Sequence, residues 1–280
     1  MVKIISDSTC DLSAELLQKY NISVIPLSVN FGDEFAKDGK DATPQRIYDY
    51  VADTGLLPKT SACNVSEYEN EFMHWKELGY EIVHISLGSK FSSTYQNAVI
   101  AAHNMDEVYV IDSANLSTGQ GLLVVHAAEM AQKGASAKEI YTECLELVPK
   151  VETSFIISHL DYLYKGGRCS ALSAFGANLL KIKPCIEVTD GEMSPHKKYR
   201  GSAQKAVLEY VTDRLSGRTD IDFDRIFITH TEYSSEAVDA VRKKIQDLKP
   251  DFEEILETTA GSTITTHCGP ECLGILFIRK

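Results

Sequence analysis

Four stretches of the chain are dense in side chains that hydrogen-bond an anion: Ser6-Asp7-Ser8-Thr9-Cys10-Asp11, Thr60-Ser61-Ala62-Cys63-Asn64, residues 86–96 and residues 112–121. Hydroxyls supply neutral donors, and a helix starting after each stretch adds backbone N–H groups and the positive end of its dipole. Taken singly, each stretch is also explained by helix caps and Asx turns. Each follows a strand-like run, however, and strand ends of one parallel sheet converge in space. Four such loops there make one polar pocket suited to a carboxylate or a phosphate. Thr60, Ser61, Ser92, Ser93 and Thr94 are the candidates for holding the head group.

Nucleophilic chemistry is poorly supported. Gly88-Ser89-Lys90-Phe91-Ser92 is not a G-x-S-x-G elbow, and no S-x-x-K occurs there. A Ser/His/Asp site that includes His267 stays open at this point. Gly119-Gln120-Gly121 lacks the third glycine of a dinucleotide fingerprint, and no phosphate-binding P-loop is present. Asp7 and Asp11 could hold a cation, but capping and solvated turns account for them more simply. The seven cysteines are scattered without a C-x-x-C pair, so zinc is not expected and reduced thiols in the cytoplasm are. In the second half, Lys165-Gly166-Gly167-Arg168 puts cations around a glycine bend, which also reads as a helix C-cap. Residues 259–270 form a small, polar segment between two strands, and His267 in it is either structural or functional. Residues 171–180 are apolar around much of a helical wheel and rich in small residues. That pattern suits a buried core helix or the wall of a tunnel.

These residues need a frame. The 280-residue chain has length for one large domain or two ordinary ones. Its net charge of −12 excludes a nucleic-acid binder, which needs a basic footprint, and leaves at most transient membrane contact. No apolar run is long enough to span a bilayer, and residues 1–7 lack a secretory signal. Strand-like runs at 2–6, 22–30, 81–86 and 107–111 alternate with helical stretches. Ser13 caps one helix, Thr43-Pro44 starts another, and Ser66/Glu69 and Ser136/Glu139 read as capping boxes. Residues 155–158 begin a new set of strands and helices, in which Asp190-Gly191-Glu192 marks a hairpin between 182–189 and 193–199. The expected architecture is α/β with two domains. Residues 1–153 would form a largely parallel sheet with flanking helices, and 154–280 a mixed sheet with helices.

The ordered set of motifs resembles the DegV family of bacterial fatty-acid-binding proteins. It comprises Ser6-Asp7-Ser8-Thr9, Lys59-Thr60-Ser61, residues 89–96, Ile111-Asp112-Ser113, residues 162–168, Lys183-Pro184 with the Gly191 hairpin, and Thr266-His267-Cys268-Gly269-Pro270. The resemblance implies a cytoplasmic carrier, not an enzyme. It would bury a long-chain fatty acid in a tunnel of the C-terminal domain and present the carboxylate to a separate ATP-using fatty acid kinase subunit, where acyl phosphate forms. It implies no cofactor and no metal. It places the carboxylate on Thr60, Ser92 and His267, and the kinase-facing rim on Arg168 and Arg200. The chain departs from the family pattern at Phe91 and Ser93, where Leu and Gly are usual, and at Ala62-Cys63-Asn64. An acyl-ester hydrolase and a non-enzymatic lipid sensor are the competing readings. Burying the roughly fifteen carbons of a C16 tail, at ~0.8 kcal/mol each, yields on the order of 10 kcal/mol. The tail can therefore supply most of the affinity, while the head group needs orientation and satisfied hydrogen bonds.

Overall fold

The structure, a computed structural model, describes residues 1–171 and 182–280. The apolar stretch expected as a tunnel wall or core helix therefore lies, beyond Ala171, outside the described residues. The first half runs β1 (Val2–Asp7), α1 (Ala14–Lys19), β2 (Ser23–Ile25), β3 (Ser28–Phe31), β4 (Glu34–Lys37), α2 (Pro44–Thr54), β5 (Lys59–Ser61), α3 (Val65–Glu77), β6 (Glu81–Ser86), α4 (Thr94–Ala102), β7 (Val108–Asp112), α5 (Ser117–Gln132) and α6 (Ala137–Leu147). The second runs β8 (Val151–Ile157), α7 (Leu160–Gly166), β9 (Lys183–Thr189), β10 (Glu192–Tyr199), α8 (Ala203–Leu215), β11 (Ile221–His230), α9 (Ser235–Leu248), β12 (Glu254–Thr259), α10 (Ser262–Cys268) and β13 (Cys272–Arg279).

Three sheets result among the described residues. A parallel sheet has the order β2-β1-β6-β7, and a mixed sheet has the order β10-β9-β8-β13-β11-β12. A small antiparallel sheet, β4-β3-β5, sits apart. The chain is thus α/β, with a parallel N-terminal sheet and a mixed C-terminal one. The expected division after residue 153 falls inside β8, all of which belongs to the mixed sheet.

Side-chain alternation explains the layering. Ile4, Val83 and Ile85 face α5 and α6, while Ile5 and Ile82 face Tyr68 and Phe72 of α3 and Ala98 of α4. On the mixed sheet, Phe227 and Leu276 also face α5, and Ile226, Ile228, Ile275 and Phe277 face α8 and α9. Helix α5 therefore lies between two sheets, and every residue from Ser117 to Val125 is buried. Its apolar stretch 122–125 suits burial on all sides, and the buried polar groups of its first turn are paired, Ser117 with Asp11, Thr118 with Thr229 and Gln120 with Ser6. Among the described residues no helix is long and apolar enough to cross a membrane.

Several expected boundaries hold. Ser13, Thr43 and Ser136 cap their helices as read. Asp190 and Gly191 have φ of 51° and 75°, the two-residue turn whose twist suits a hairpin. Others shift. The run 22–30 is two strands in two different sheets, broken at Pro26, which has no N–H for a ladder. The capping box of α3 is Asn64/Glu67, not Ser66/Glu69, because Asn64 occupies the N-cap and accepts from Glu67 N at 3.0 Å. Residues 259–270 hold a short helix, α10, where an irregular polar segment was expected.

Candidate functional site

The ends of β1, β6 and β7 lie side by side, and their loops are fixed by the carboxylates of β1 and β7. Asp7 accepts from Ser86 Oγ at 2.9 Å and Leu87 N at 2.8 Å, and Asp112 accepts from Ser89 N at 3.0 Å. These bonds hold the turn that carries Phe91 and Ser92. The second hydroxyl stretch comes from elsewhere. Thr60 and Ser61 lie on β5 of the small sheet, with Thr60 opposite Val29, and not at an end of the parallel sheet. His267 arrives from the last turn of α10.

These segments meet around one small cavity of about 50 Å³, lined by Thr60, Ser61, Phe91, Ser92, Arg168 and His267 among others. Thr60 Oγ1 and His267 Nε2 are 2.9 Å apart. Ser92 Oγ lies 2.5 Å from Thr94 Oγ1. Arg168 donates from Nε to Phe91 O at 3.4 Å and from a terminal nitrogen to Gly166 O at 2.7 Å. Burial, and then the Arg168 guanidinium, push the His267 imidazole down to about 4. The ring is therefore neutral at pH 7, although part of its surface faces the cavity. Its Nδ1 has no hydrogen-bond partner among the described residues.

A second cavity of about 30 Å³ abuts the first, and Leu116, Ile264 and Cys268 line both. Its walls include Phe155, Ala260, Cys272 and Leu276, between α5, α10 and the mixed sheet. A chamber that carries hydroxyls, an imidazole and a guanidinium among apolar walls thus meets an almost wholly apolar one at three shared side chains.

Two glycines make the arrangement sterically possible. A Cβ on Gly166, the last residue of α7, would sit 2.3 Å from His267 Nδ1. A Cβ on Gly269, where φ is +67°, would sit 2.7 Å from the Tyr162 ring. The motif at 162–168 and the motif at 266–270 interlock through these contacts, which spacing along the chain does not reveal.

The structure thus brings Thr60, Ser61, Ser92, Arg168 and His267 together. Thr94 is buried behind Ser92 and acts on it. Ser93 is exposed at the N-cap of α4, and Arg200 is exposed just past β10; neither is among the residues lining the cavity. Asp7 and Asp11 are not in solvated turns. Both are buried, with Asp7 also accepting from Tyr68 OH at 2.6 Å and Asp11 from Ser117 Oγ at 2.5 Å. No cluster of three metal-ligating side chains occurs among the described residues. Ser92 pairs with Thr94 and His267 with Thr60, and no described carboxylate meets His267 Nδ1, so a Ser–His–Asp relay is not assembled. All seven cysteines are buried free thiols.

A family model described as uncharacterised protein, DegV family, matches residues 1–280. A DegV domain-containing protein of Caldanaerobacter subterraneus is 33% identical over 286 residues, covering 100% of this chain and 99% of the relative. A protein of Thermotoga maritima named fatty acid-binding protein is 33% identical over 282 residues, covering 98% and 96%. The crystal structure of a stearic acid-binding protein from Eubacterium ventriosum superposes with a TM-score of 0.83 at 28% identity, covering 100% of this chain and 99% of that one. By sequence over its whole length and by fold, this chain belongs to the DegV family.

Proposed function

We propose that this chain is a carrier that binds a long-chain fatty acid and presents its carboxylate to a separate ATP-dependent kinase subunit, which forms the acyl phosphate. The observation that carries the reading is the meeting of Thr60, Ser92 and His267 at a largely apolar cavity that shares three side chains with a second apolar one. Relatives named for fatty acid binding support it.

In this reading the Nε2–H tautomer of His267 donates to Thr60 Oγ1, which turns the Thr60 hydroxyl proton toward the carboxylate. Ser92, held by Thr94, donates a second bond. The site then binds the carboxylate with neutral donors. Arg168 supplies positive charge at the rim, where two of its five N–H donors go to backbone carbonyls. The tail runs past Leu116, Ile264 and Cys268. Free thiols and the acidic surface fit a cytoplasmic protein that touches membranes at most transiently.

Organic extraction of the purified protein followed by mass spectrometry tests the reading directly. Recovery of an acyl chain, or uptake of added fatty acid, is expected. With a cognate kinase, Thr60→Ala and His267→Ala should cut acyl phosphate formation far more than they affect folding. Repeated recovery of no acyl chain, together with no uptake, would overturn the assignment.

A further inference from the structure

Helix α10 has no cap of its own. Its N-cap is Gly261, which has no side chain to offer, and its sequence, Ser262-Thr263-Ile264-Thr265-Thr266-His267-Cys268, is rich in poor helix formers. Its first N–H groups go instead to two carboxylates from the other half of the chain. Gly261 N donates to Asp11 Oδ1 at 2.8 Å, and Ser262 N donates to Asp38 Oδ1 at 2.7 Å. Both carboxylates are themselves held. Ser117 Oγ donates to Asp11 Oδ2 at 2.5 Å, and Ser8 Oγ donates to Asp38 Oδ2 at 2.9 Å. Ser262 Oγ adds a bond to Ala42 O at 2.7 Å. Asp11 and Asp38 are 6% and 4% exposed, so these are bonds shielded from water.

We infer that Asp11 and Asp38 are positioning residues that set where His267 meets Thr60. Two buried carboxyl groups that accept its first N–H bonds fix both the depth and the tilt of so short a helix. His267 lies five residues beyond Ser262, about 7.5 Å along the axis at 1.5 Å per residue. A slide of about 1 Å at the clamp carries Nε2 from 2.9 Å to outside hydrogen-bond range of Thr60 Oγ1. The clamp thus acts on head-group recognition through α10 and touches no ligand itself. Its effect on binding rests on the carboxylate reading given above.

The test compares a long-chain fatty acid with the alcohol of the same length, in wild type, Asp38→Ala, Asp11→Ala and His267→Ala. It also records the His267 ring signal by NMR. Asp38→Ala is expected to lower the preference for acid over alcohol at least tenfold, leave alcohol affinity within about twofold, and shift the His267 resonance. Asp38→Asn keeps an accepting oxygen and should restore most of both; Asp38→Ser, whose side chain is one atom shorter than the accepting oxygen needs, serves if the alanine variant fails to fold. Equal weakening of acid and alcohol, or an unmoved His267 signal, would overturn the inference. If His267→Ala keeps the full preference while Asp38→Ala still shifts the ring, the positioning stands and the head-group reading falls.

Discussion

Gly166→Ala adds a single methyl group aimed at His267. The new carbon would sit 2.3 Å from Nδ1, whereas ordinary contact begins near 3.4 Å, so the ring must retreat by about 1 Å. That push runs through the ring toward Nε2, which already lies 2.9 Å from Thr60 Oγ1, so the ring must turn out of line and the bond is lost. A hydrogen bond that serves a charged group is worth about 1.5–3 kcal/mol, which is roughly ten- to a hundredfold in affinity. Alanine is also the better helix former, by up to about 1 kcal/mol, so α7 itself is not weakened. The expected result is a ten- to hundredfold rise in Kd for palmitate with little change in thermal stability. Displacement of a fluorescent fatty acid measures the first, and a melting curve the second. Unchanged palmitate affinity would refute the argument, because it would mean that the His267–Thr60 contact carries no head-group binding.

Three other outcomes follow from the same geometry. Arg168→Ala should raise the titration midpoint of His267, now near 4, since it removes a neighbouring positive charge; ring NMR across pH 3–8 would show it. Burial, opposed by bonds from Ser117 and Gly261 and reinforced by Asp38, pushes the Asp11 carboxyl from 3.8 up to about 8. Between those values the unfolded chain has lost a proton that the folded one keeps, so stability should fall as pH rises from about 4 to 8. Denaturant titrations should show that decline flattened in Asp11→Asn. Asn64→Ala should cost about 1 kcal/mol through the lost cap of α3, and Ser66→Ala only a few tenths, measured the same way.

Long elements with clear periods or caps are legible in the sequence. The starts of α1, α2 and α6, the 190–191 hairpin and the strands β1, β6 and β7 all fall close to their expected places. The short elements are not. The β5 strand has three residues, and α10 has seven of low helical propensity, so nothing local marks either. Their structure comes from tertiary bonds, such as those from Asp11 and Asp38, that no window of sequence contains. The same holds for the site. Thr60, Ser92 and His267 stand out by residue type and by resemblance to relatives. The need for glycine at 166 and the covering of both carboxylates become visible only once α7, α10 and the first loop are packed together. The split of 22–30 at Pro26 had a local signal, since proline rarely sits inside a strand.

Thr60 and His267 are separated by 207 positions in the chain, and their contact bridges the small sheet and the penultimate element. Closing a loop that long carries an entropic cost that only the packed core repays. During synthesis, a chain that has not yet emerged past residue 267 lacks the proposed head-group site, however well its first sheet is made. A ligand held there would bind the finished fold and ignore partial ones. A hundredfold excess over Kd adds about 2.7 kcal/mol to the finished fold alone. For a carrier of the proposed kind, lipid supply and the lifetime of the protein in the cell become linked quantities, because abundance would rise when there is cargo to carry.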